Sequence, residues 1–510
     1  MGFPPTPLTL VSWENGWSRF NKSPDTRNVY VSTSGNDAND GLSPKTPKAS
    51  IHAAAGLMRT GFPDWLHIKR GDQFQGGIGD WPRSGRSTNE PMVVTTYGPS
   101  MARPLFMCGM DEGLTVHRSP ISHVAFLGLH FVADRHDGSN AQPYGVSLLA
   151  PCTHVLIEDC KVERFFTNLR IQGNQTREVR LRRCVVVDAF TATNSHAQGI
   201  YVDTVSNLLI EECVFDHNGW RPSVPGAHPT VFRHNIYLQG DTNNVAVRGN
   251  IIARGGSHGL QARSGGDVRN NLFLGNPINL LVGSDVQNTG ANRATVIGNV
   301  ILDGRDISPT EPRGWAAQFQ CLDSAEIAYN VAAHQVTGTA PGSFSFESSR
   351  GVGINNVDFH HNVAYRWGAP LILSGGRFVN LVLRNNDVQE EGGFLVQTTW
   401  DDTMAGLLSG QNRFFTNSDR ARWMRFDQRF LSLSEWKAAL SDGSSTAFRV
   451  TYPAAHETIA DYVTDANGEP GNLDTFLAEA RLQARTNWRE EFVGTNAAAH
   501  FRGNFGLFVP

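Results

Sequence analysis

Two histidines that each open a short alternating segment are the residues of this sequence best suited to chemistry. His234 begins HNIYLQG and His258 begins HGLQARS, with Tyr237, Gln261 and Arg263 at the following alternate positions. Imidazole titrates near neutrality and serves as a base, and a phenol can protonate a departing oxygen. A guanidinium binds a carboxylate through two parallel hydrogen bonds. This pattern suits removal of a proton from a carbon beside a carboxylate.

Six segments share this alternation, and together they predict a strip of polar side chains on stacked strands. They start at Tyr144, Thr167, Gln198, His234, His258 and Pro277. Side chains alternate across a strand, so the apolar positions point inward and the intervening positions point outward. The outward positions are Ser147, Arg170, Gln172, Tyr201, Asp203, Tyr237, Gln239, Gln261, Arg263 and Asn279. Such a strip suits an extended polar polymer, because aromatic faces, amides and guanidinium groups bind sugar surfaces, hydroxyls and carboxylates.

A polar strand face has a simpler explanation, since any solvated face of a sheet is polar. Ordinary surface positions would favour Lys, Glu, Ser and Thr over this mixture of His, Tyr, Gln and Arg, so we prefer the functional interpretation. Two further residues are candidates for substrate binding. His196 precedes the Gln198 segment, and Trp220 lies in the insertion HNGWRPSVPGAHPTVFRHN, where it is a candidate for one wall of a cleft.

A second recurring phrase predicts the scaffold that positions these segments. Alternating apolar residues precede a Cys or Asn at positions 160, 184, 213, 250, 271, 299, 330, 362 and 386. The irregular spacing is typical of coils whose loops differ in length. If the phrases stack as parallel strands about 4.8 Å apart, the Asn amides bond one another along the axis. We therefore predict a solenoid of β-strands with a structural ladder of Asn and buried Cys thiols.

Composition and missing motifs argue against several classes of protein. The 510 residues carry 44 Lys and Arg against 48 Asp and Glu, which gives no basic field for nucleic acid or for a membrane surface. No segment reaches the roughly 20 apolar residues of a membrane span. The six Cys lack the CxxC spacing of a zinc site, and no P-loop, dinucleotide fingerprint or HExxH motif is present. We expect no metal site from these residues.

The chain divides into three segments in this interpretation. Residues 1–113 form an N-terminal extension and cap, with strands near VYVST, WLHIKRG and MVVTTYG and a helix near Ala49 to Met58. Residues 114–415 form the solenoid. Residues 416–510 form a partly helical C-terminal cover, with helices predicted near Ser434 to Leu440 and Leu473 to Glu490. Terminal caps of this kind shield the open end of a repeat protein.

The segment VYVSTSGNDANDGLSPKTPKASIHAA, followed by these coils, resembles bacterial right-handed parallel β-helix proteins. That group includes pectate-lyase-like and alginate-lyase-like enzymes and mannuronan C5-epimerases. The resemblance implies an all-β, right-handed parallel β-helix. Many lyases of this group use calcium, which we keep as a possible cofactor. GGSHGLQARSGG is similar to a Gly-His-Gly segment of polygalacturonases, but Gln198 and the pair Arg233 and His234 stand where that family carries catalytic Asp residues.

We therefore expect a polysaccharide lyase that cleaves a uronate-containing glycan. Arg263, or alternatively Arg170, would neutralise the carboxylate, His234 or His258 would take the C5 proton, and Tyr237 or Tyr201 would protonate the leaving oxygen. Substrate-binding candidates are Arg170, Gln172, His196, Asp203, Gln239, Gln261 and Trp220. A hydrolase using Asp203, a C5-epimerase and a non-catalytic glycan-binding β-helix are the alternatives. We expect a secreted or periplasmic monomer, although the first residues show no export signal.

Overall fold

The computed structural model describes residues 13–14, 16–285, 292–368, 371–398 and 405–509 of the chain. The described residues form two compact units, one of Met1–His228 with Arg481–Arg489 and one of Pro229–Ala480 with Glu490–Pro510. Both are built almost entirely from parallel strands, and each is described by itself below. The division at residues 113 and 415 stays a prediction.

In the first unit each coil contributes one strand to each of three parallel sheets, which we call sheets 1, 2 and 3 in the order the chain visits them. Sheet 1 contains Asn28–Val31, Trp65–Lys69, Met92–Tyr97, Ile121–Leu127, Cys152–Glu158, Arg177–Arg182 and Ser206–Glu211. Sheet 2 contains Gln73–Gln75, Leu105–Met107, His130–Val132, Lys161–Glu163, Val185–Val187 and Val214–Asp216. Sheet 3 contains Gly79–Asp80, Leu114–Val116, Tyr144–Leu148, Thr167–Gln172 and Ile200–Asp203. A short antiparallel pair, Trp13–Glu14 with Trp17–Ser18, precedes them.

The second unit repeats the same three-strand coil. Its sheet 1 contains Asn243–Arg248, Gly265–Arg269, Arg293–Ile297, Ser324–Ala328, Ile354–His360, Phe378–Arg384 and Leu407–Gly410. Its sheet 2 contains Ile251–Ala253, Leu272–Leu274, Val300–Leu302, Val331–Ala333, Val363–Tyr365, Asp387–Glu390, Arg413–Thr416 and Thr446–Ala447. Its sheet 3 contains Ile236–Leu238, His258–Ala262, Ile278–Gly283, Trp315–Gln320, Gly342–Glu347, Leu371–Ser374, Val396–Thr398 and Met424–Phe426, followed by the antiparallel Arg429–Leu431.

The sheets form because apolar residues alternate along each strand and stack on their counterparts in the next coil. In NVAVR of sheet 1, Val245 and Val247 are buried, while Ala246 between them and Arg248 after them are partly exposed. Between sheets 1 and 2 the predicted ladder is present: Asn299 Nδ2 donates to Asn330 Oδ1 over 2.9 Å, and the same contact recurs along the second unit. The ladder prediction is confirmed. In the first unit the equivalent places hold buried Cys160, Cys184 and Cys213 as free thiols.

Helices lie at the ends of the chain, as the sequence predicted. Ile51–Gly56 begins at Ser50, whose hydroxyl accepts a hydrogen bond from Ala53 N, and it packs on Asn28–Val31. The C-terminal helices are Leu433–Ala439, Ile459–Asn467, Leu473–Ala480 and Gly494–Asn504, with short 3-10 turns at Arg420–Arg422 and Glu490–Phe492. The predicted helix from Leu473 ends at Ala480, ten residues early, and two of these helices were not predicted.

The last helix covers sheet 2 of the second unit. Gly494–Asn504 packs on Leu272–Leu274 and Val300–Leu302, which explains why every residue of these two strands is buried. Parallel strands already pair from Asn28–Val31 onward, within the segment expected to be a cap. Among the described residues, no helix combines the length and apolar character that a membrane crossing requires.

Candidate functional site

Sheet 3 of the second unit brings the two histidine segments into the predicted register. Tyr237 pairs with Gln261 and Leu238 pairs with Ala262 across neighbouring parallel strands. His234 and His258 therefore lie at equivalent places just before or at the start of their strands, and their ring centroids are 4.7 Å apart. The ring of Tyr237 lies 5.0 Å from that of His234. The three side chains form one cluster.

The hydrogen bonds of the pair indicate where its protons lie. The backbone N–H of His258 points at His234 Nδ1 over 3.4 Å, so that nitrogen acts as an acceptor. His258 Nδ1 lies 3.0 Å from the same atom and therefore donates its proton to it. Ser257 Oγ, 3.1 Å from His258 Nδ1, completes the contacts of that nitrogen. In this tautomer Nε2 of His258 carries a lone pair and can accept a proton.

The cluster is recessed, which corrects the expectation of an open strip and of an unshifted base. His234, His258 and Tyr237 are only 3%, 7% and 8% exposed. Burial, followed by the positive charges of Arg263 and Arg313, lowers the pKa of His258 to about 3. The imidazole is therefore neutral at physiological pH, and it is a weaker base in the empty protein than a solvated histidine.

One guanidinium group lies beside the cluster, and the charge of a second lowers the pKa of His258. Arg263 Cζ lies 5.7 Å from the centroid of the Tyr237 ring, which places this cation beside the phenol. Arg313 Cζ lies 4.9 Å from the ring of Trp315, a partly exposed residue that opens the strand paired with Ile278–Gly283. Sequence reasoning proposed Arg263 but missed Arg313, because Arg313 lies in a loop between strands. Together they give the cluster two cations and an aromatic face.

The polar strip continues in the next coils, beyond the segments aligned from the sequence. Gln318 and Gln320 pair in register with Ser345 and Glu347. Both amides donate to Glu347 Oε2, over 2.6 Å and 3.0 Å. Glu347 is partly exposed, so this carboxylate is oriented by two amides on the strand face. The alternation in WAAQFQ and GSFSFE was the signal that could have placed it.

One predicted outward residue points elsewhere. Asn279 is fully buried, and its Oδ1 accepts from Asn276 N and Nδ2 while its Nδ2 donates to Asp303 O and Trp315 O. Leu281 pairs with Gln261 in its place. The outward prediction for Asn279 is wrong, because this amide satisfies buried backbone groups at the corner before sheet 3.

The remaining strip candidates lie in the first unit. Ser147 pairs with Arg170, and Arg170 pairs with Tyr201 in the next coil. Arg170 Nη2 donates to Ser147 Oγ over 3.1 Å, and its Cζ lies 3.6 Å from the centroid of the Tyr144 ring. This guanidinium stacks flat on an aromatic face, in a setting different from that of Arg263.

An amide and a carboxylate also lie side by side on neighbouring strands of sheet 3 in the first unit. Gln172 pairs with Asp203, and Gln172 Nε2 donates to Asp203 Oδ2 over 3.4 Å. Both side chains are partly exposed. Asp203 Oδ1 also accepts from Thr204 Oγ1 over 2.9 Å, so this carboxylate is held from both sides.

Three candidates lie outside the strand faces. Gln239 follows Ile236–Leu238 and is partly exposed, and His196 is exposed in the loop before Ile200–Asp203. Trp220 lies against His217, with ring centroids 4.2 Å apart. Among the described residues no group of three or more His, Cys, Asp or Glu is arranged to hold a metal ion.

Comparisons with known proteins support the fold. Residues 130–301 match a family model described as a right handed beta helix region. A comparison with curated protein sequences found no match. Among solved structures, the pectate lyase Pel9A is 16% identical, with a TM-score of 0.42 over 61% of this chain and 80% of that chain. A rhamnogalacturonan lyase is 11% identical, with a TM-score of 0.43 over 61% and 89% of the two chains.

A glycoside hydrolase of family 136, the lacto-N-biosidase from Eubacterium ramulus, is 12% identical, with a TM-score of 0.40 over 82% of this chain and 66% of that chain. Likenesses at this level of identity concern the fold alone. The stacked three-strand coils, the Asn ladder and the match over residues 130–301 show the fold of a right-handed parallel β-helix.

Proposed function

We propose that this protein is a glycan-active enzyme that cleaves a uronate-containing polysaccharide by β-elimination, at the cluster of His258, Tyr237, Arg263 and Arg313. The observation that carries the proposal is the contact of His258 Nδ1 with His234 Nδ1, which leaves Nε2 of His258 as the acceptor, in a cluster with Tyr237 and Arg263. These are the base, the carboxylate-neutralising groups and the acid that elimination needs. The pectate and rhamnogalacturonan lyases of similar fold make this class of substrate a natural one to test.

Each residue has one role in this reaction. Arg263 and Arg313 bind the uronate carboxylate and stabilise the negative charge that develops on it when the C5 proton leaves. His258 Nε2 takes that proton. The electron pair of the C5–H bond forms the C4–C5 double bond, the C4–O4 bond breaks, and the Tyr237 hydroxyl protonates O4. Because the cluster is recessed, bound substrate exchanges few protons with bulk water.

Binding of the substrate changes the pKa of His258. Arg263 and Arg313 lower the pKa of His258, and a carboxylate bound between them would offset both charges. Binding an anionic sugar therefore raises the pKa of His258 from about 3 toward the range of an effective base. A neutral sugar leaves the two cations uncompensated, so the site distinguishes uronates from neutral sugars in the chemical step as well as in binding.

Hydrolysis is the second candidate, and Glu347 is the observation that favours it. Gln318 and Gln320 orient its carboxylate on the same strip. A glycoside hydrolase needs two carboxyl groups, about 5–5.5 Å apart for retention or about 6.5–9.5 Å for inversion. Asp203, the carboxylate predicted from the sequence, lies in the first unit with Gln172. A C5-epimerase would use the same base and cations as the lyase and return the proton to C5.

The experiment is an assay of purified protein on polygalacturonate, alginate and a neutral glucan, with reducing ends and the ultraviolet absorbance of unsaturated uronate measured together. Elimination raises both signals on a uronate polymer. Reducing ends without new absorbance would refute elimination and favour hydrolysis, and Glu347→Gln should then abolish cleavage. Epimerisation would change the C5 configuration, seen by proton NMR, without new chain ends.

Substitutions connect the activity to the cluster. His258→Gln removes the base and should lower kcat by a factor of about 10² to 10⁴. His361→Asn is the matched control, because His360 and His361 form a second pair with their Nδ1 atoms 2.9 Å apart in sheet 1 of the same unit. Equal losses in the two variants would show that the effect of His258→Gln comes from folding rather than from chemistry.

A further inference from the structure

A cleft of the first unit combines a histidine–carboxylate pair with two arginines. It has a volume of about 450 Å³ and is lined by Glu163, Arg164, Asp188, His217 and Arg221, with Pro222 and Ser223. The strand residues Glu163, Val187 and Asp216 are register partners in three successive coils of sheet 2. Arg164, Asp188 and His217 follow them directly, with φ of 67°, 59° and 59°. Their side chains therefore leave the same corner of three stacked coils.

The carboxylates of this cleft are already neutralised by neighbouring cations. Arg481 Nη1 and Nη2 donate to the two oxygens of Asp188 over 3.0 Å each, and Arg481 Nε donates to Asp216 Oδ2 over 2.5 Å. Lys161 Nζ lies 3.0 Å from Glu163 Oε2. Burial would raise the pKa of Asp188, but His217 and Arg481 outweigh it and hold that pKa well below its usual range. Arg481 and Lys161 thus offset two of the three negative charges of Asp188, Asp216 and Glu163.

The two arginines that line the cleft have no such compensation. Within the described residues, no carboxylate lies within ion-pair distance of Arg164 or Arg221. Arg221 Nε donates to Ser223 Oγ over 3.3 Å, and its Cζ lies 5.1 Å from the ring of Phe190. Both side chains are partly exposed, so their remaining N–H groups can reach a ligand. The cleft thus presents two guanidinium groups to an incoming molecule.

His217 adds a polarised acceptor. Its Nδ1 lies 2.9 Å from Asp188 Oδ1, and the ionised carboxylate requires this nitrogen to donate. Nε2 faces away from that bond and, when it carries no proton, can accept a hydrogen bond from a sugar hydroxyl. Trp220, expected from the sequence to border the strip of sheet 3, packs instead against this ring, at 4.2 Å between centroids. The carboxylate and the indole together fix the orientation of the imidazole.

We propose that this cleft is a binding site for an anionic sugar, in which Arg164 and Arg221 hold a carboxylate or sulfate group and His217 accepts a hydrogen bond from a neighbouring hydroxyl. Guanidinium groups match planar carboxylates and sulfates with paired hydrogen bonds, and the volume suits one or two sugar rings. The proposal does not depend on the elimination chemistry of the second unit. It assigns the first unit a glycan contact of its own.

Isothermal titration of the full chain with glucuronate, glucose 6-sulfate and glucose tests it. We expect binding of glucuronate, of the sulfate ester or of both, and none of glucose. The double variant Arg164→Gln with Arg221→Gln removes two sets of charge-assisted hydrogen bonds and should weaken binding of the anion at least tenfold. Preferential binding of one anion identifies a uronate or a sulfated sugar as the ligand.

Two controls keep the result interpretable. Arg135→Gln removes another arginine of the first unit, 77% exposed, and should leave binding unchanged. Arg263→Gln should abolish elimination and leave this binding intact, so failure of the proposed function is distinguishable from failure of this one. Absence of binding by both anions, equal binding by the double variant, or loss of binding in Arg263→Gln would overturn the proposal. The single variant Arg221→Gln replaces the double variant if the latter does not fold.

Discussion

Replacing Asn330 by Ala tests how much the Asn ladder stabilises the β-helix. The Asn330 side chain is 2% exposed and makes four hydrogen bonds. Its Oδ1 accepts from Asn299 N and Asn299 Nδ2, each over 2.9 Å. Its Nδ2 donates to Val296 O and Asn362 Oδ1, again over 2.9 Å. Alanine removes all four bonds and leaves a buried backbone N–H without its acceptor.

The expected loss follows from these contacts. Each buried hydrogen bond contributes about 1 kcal/mol net, and a stranded buried donor costs about 1–3 kcal/mol. Four bonds therefore predict a loss of about 4 kcal/mol in the free energy of unfolding. Because each coil contacts mainly its neighbours, the loss should concentrate in the coils around position 330.

Urea denaturation followed by far-ultraviolet circular dichroism measures the loss, and hydrogen exchange locates it. Asn417→Ala is the matched control, since Asn417 is exposed and makes one 3.1 Å bond to exposed Glu391. That variant should stay within about 0.5 kcal/mol of the parent protein. A loss below about 1 kcal/mol for Asn330→Ala would refute a stabilising role for the ladder.

Three further predictions concern buried charge and close contact. Burial raises the pKa of Glu390 to about 7 despite hydrogen bonds from Trp367 N and Gly368 N, so the folded state holds a proton that the unfolded state releases above about pH 4.5. The free energy of unfolding should fall by about 3 kcal/mol between pH 4.5 and 7.5, and Glu390→Gln should remove most of this decline in urea titrations. An equal decline with pH in the variant would contradict the raised pKa of Glu390. A Cβ on Gly494 would lie 2.4 Å from Gly249 O, so Gly494→Ala should expose the last helix to protease, and parental cleavage rates would contradict this. Arg481→Met leaves the carboxylates of Asp188 and Asp216 without their guanidinium partner and should lower the free energy of unfolding by about 2–4 kcal/mol. An unchanged urea midpoint would show that the ion pairs contribute nothing.

The repeating scaffold was predictable because two independent signals coincide in it. Alternation buries Val245 and Val247, and from Cys152–Glu158 onward the second residue after each sheet 1 strand is a Cys or Asn whose place in the ladder follows from stacking. The same alternation placed Tyr237 beside Gln261. Strand periodicity does not say what covers an outward residue, which is why the burial of His258 was not expected.

Parts of the candidate sites could not be predicted because they depend on loops and on distant segments. Arg313, whose charge lowers the pKa of His258, lies in a loop with no periodicity. Asn279 occupies an outward position by alternation, yet an amide at a corner can satisfy backbone groups inside. The pair of Asp188 with Arg481 joins residues 293 positions apart, and no local pattern relates them.

The ladder also separates the length of a coil from the alignment of its strands. Consecutive ladder amides are 21 residues apart between Asn250 and Asn271 but 32 apart between Asn330 and Asn362, and the hydrogen bond is 2.9 Å in both cases. The ladder bond thus aligns each coil with the one before it whatever the length of the loops between them, so an inserted loop does not shift the strands that follow. Evolution can therefore lengthen or exchange the loops that border sheet 3 while the stacking of the strands is conserved.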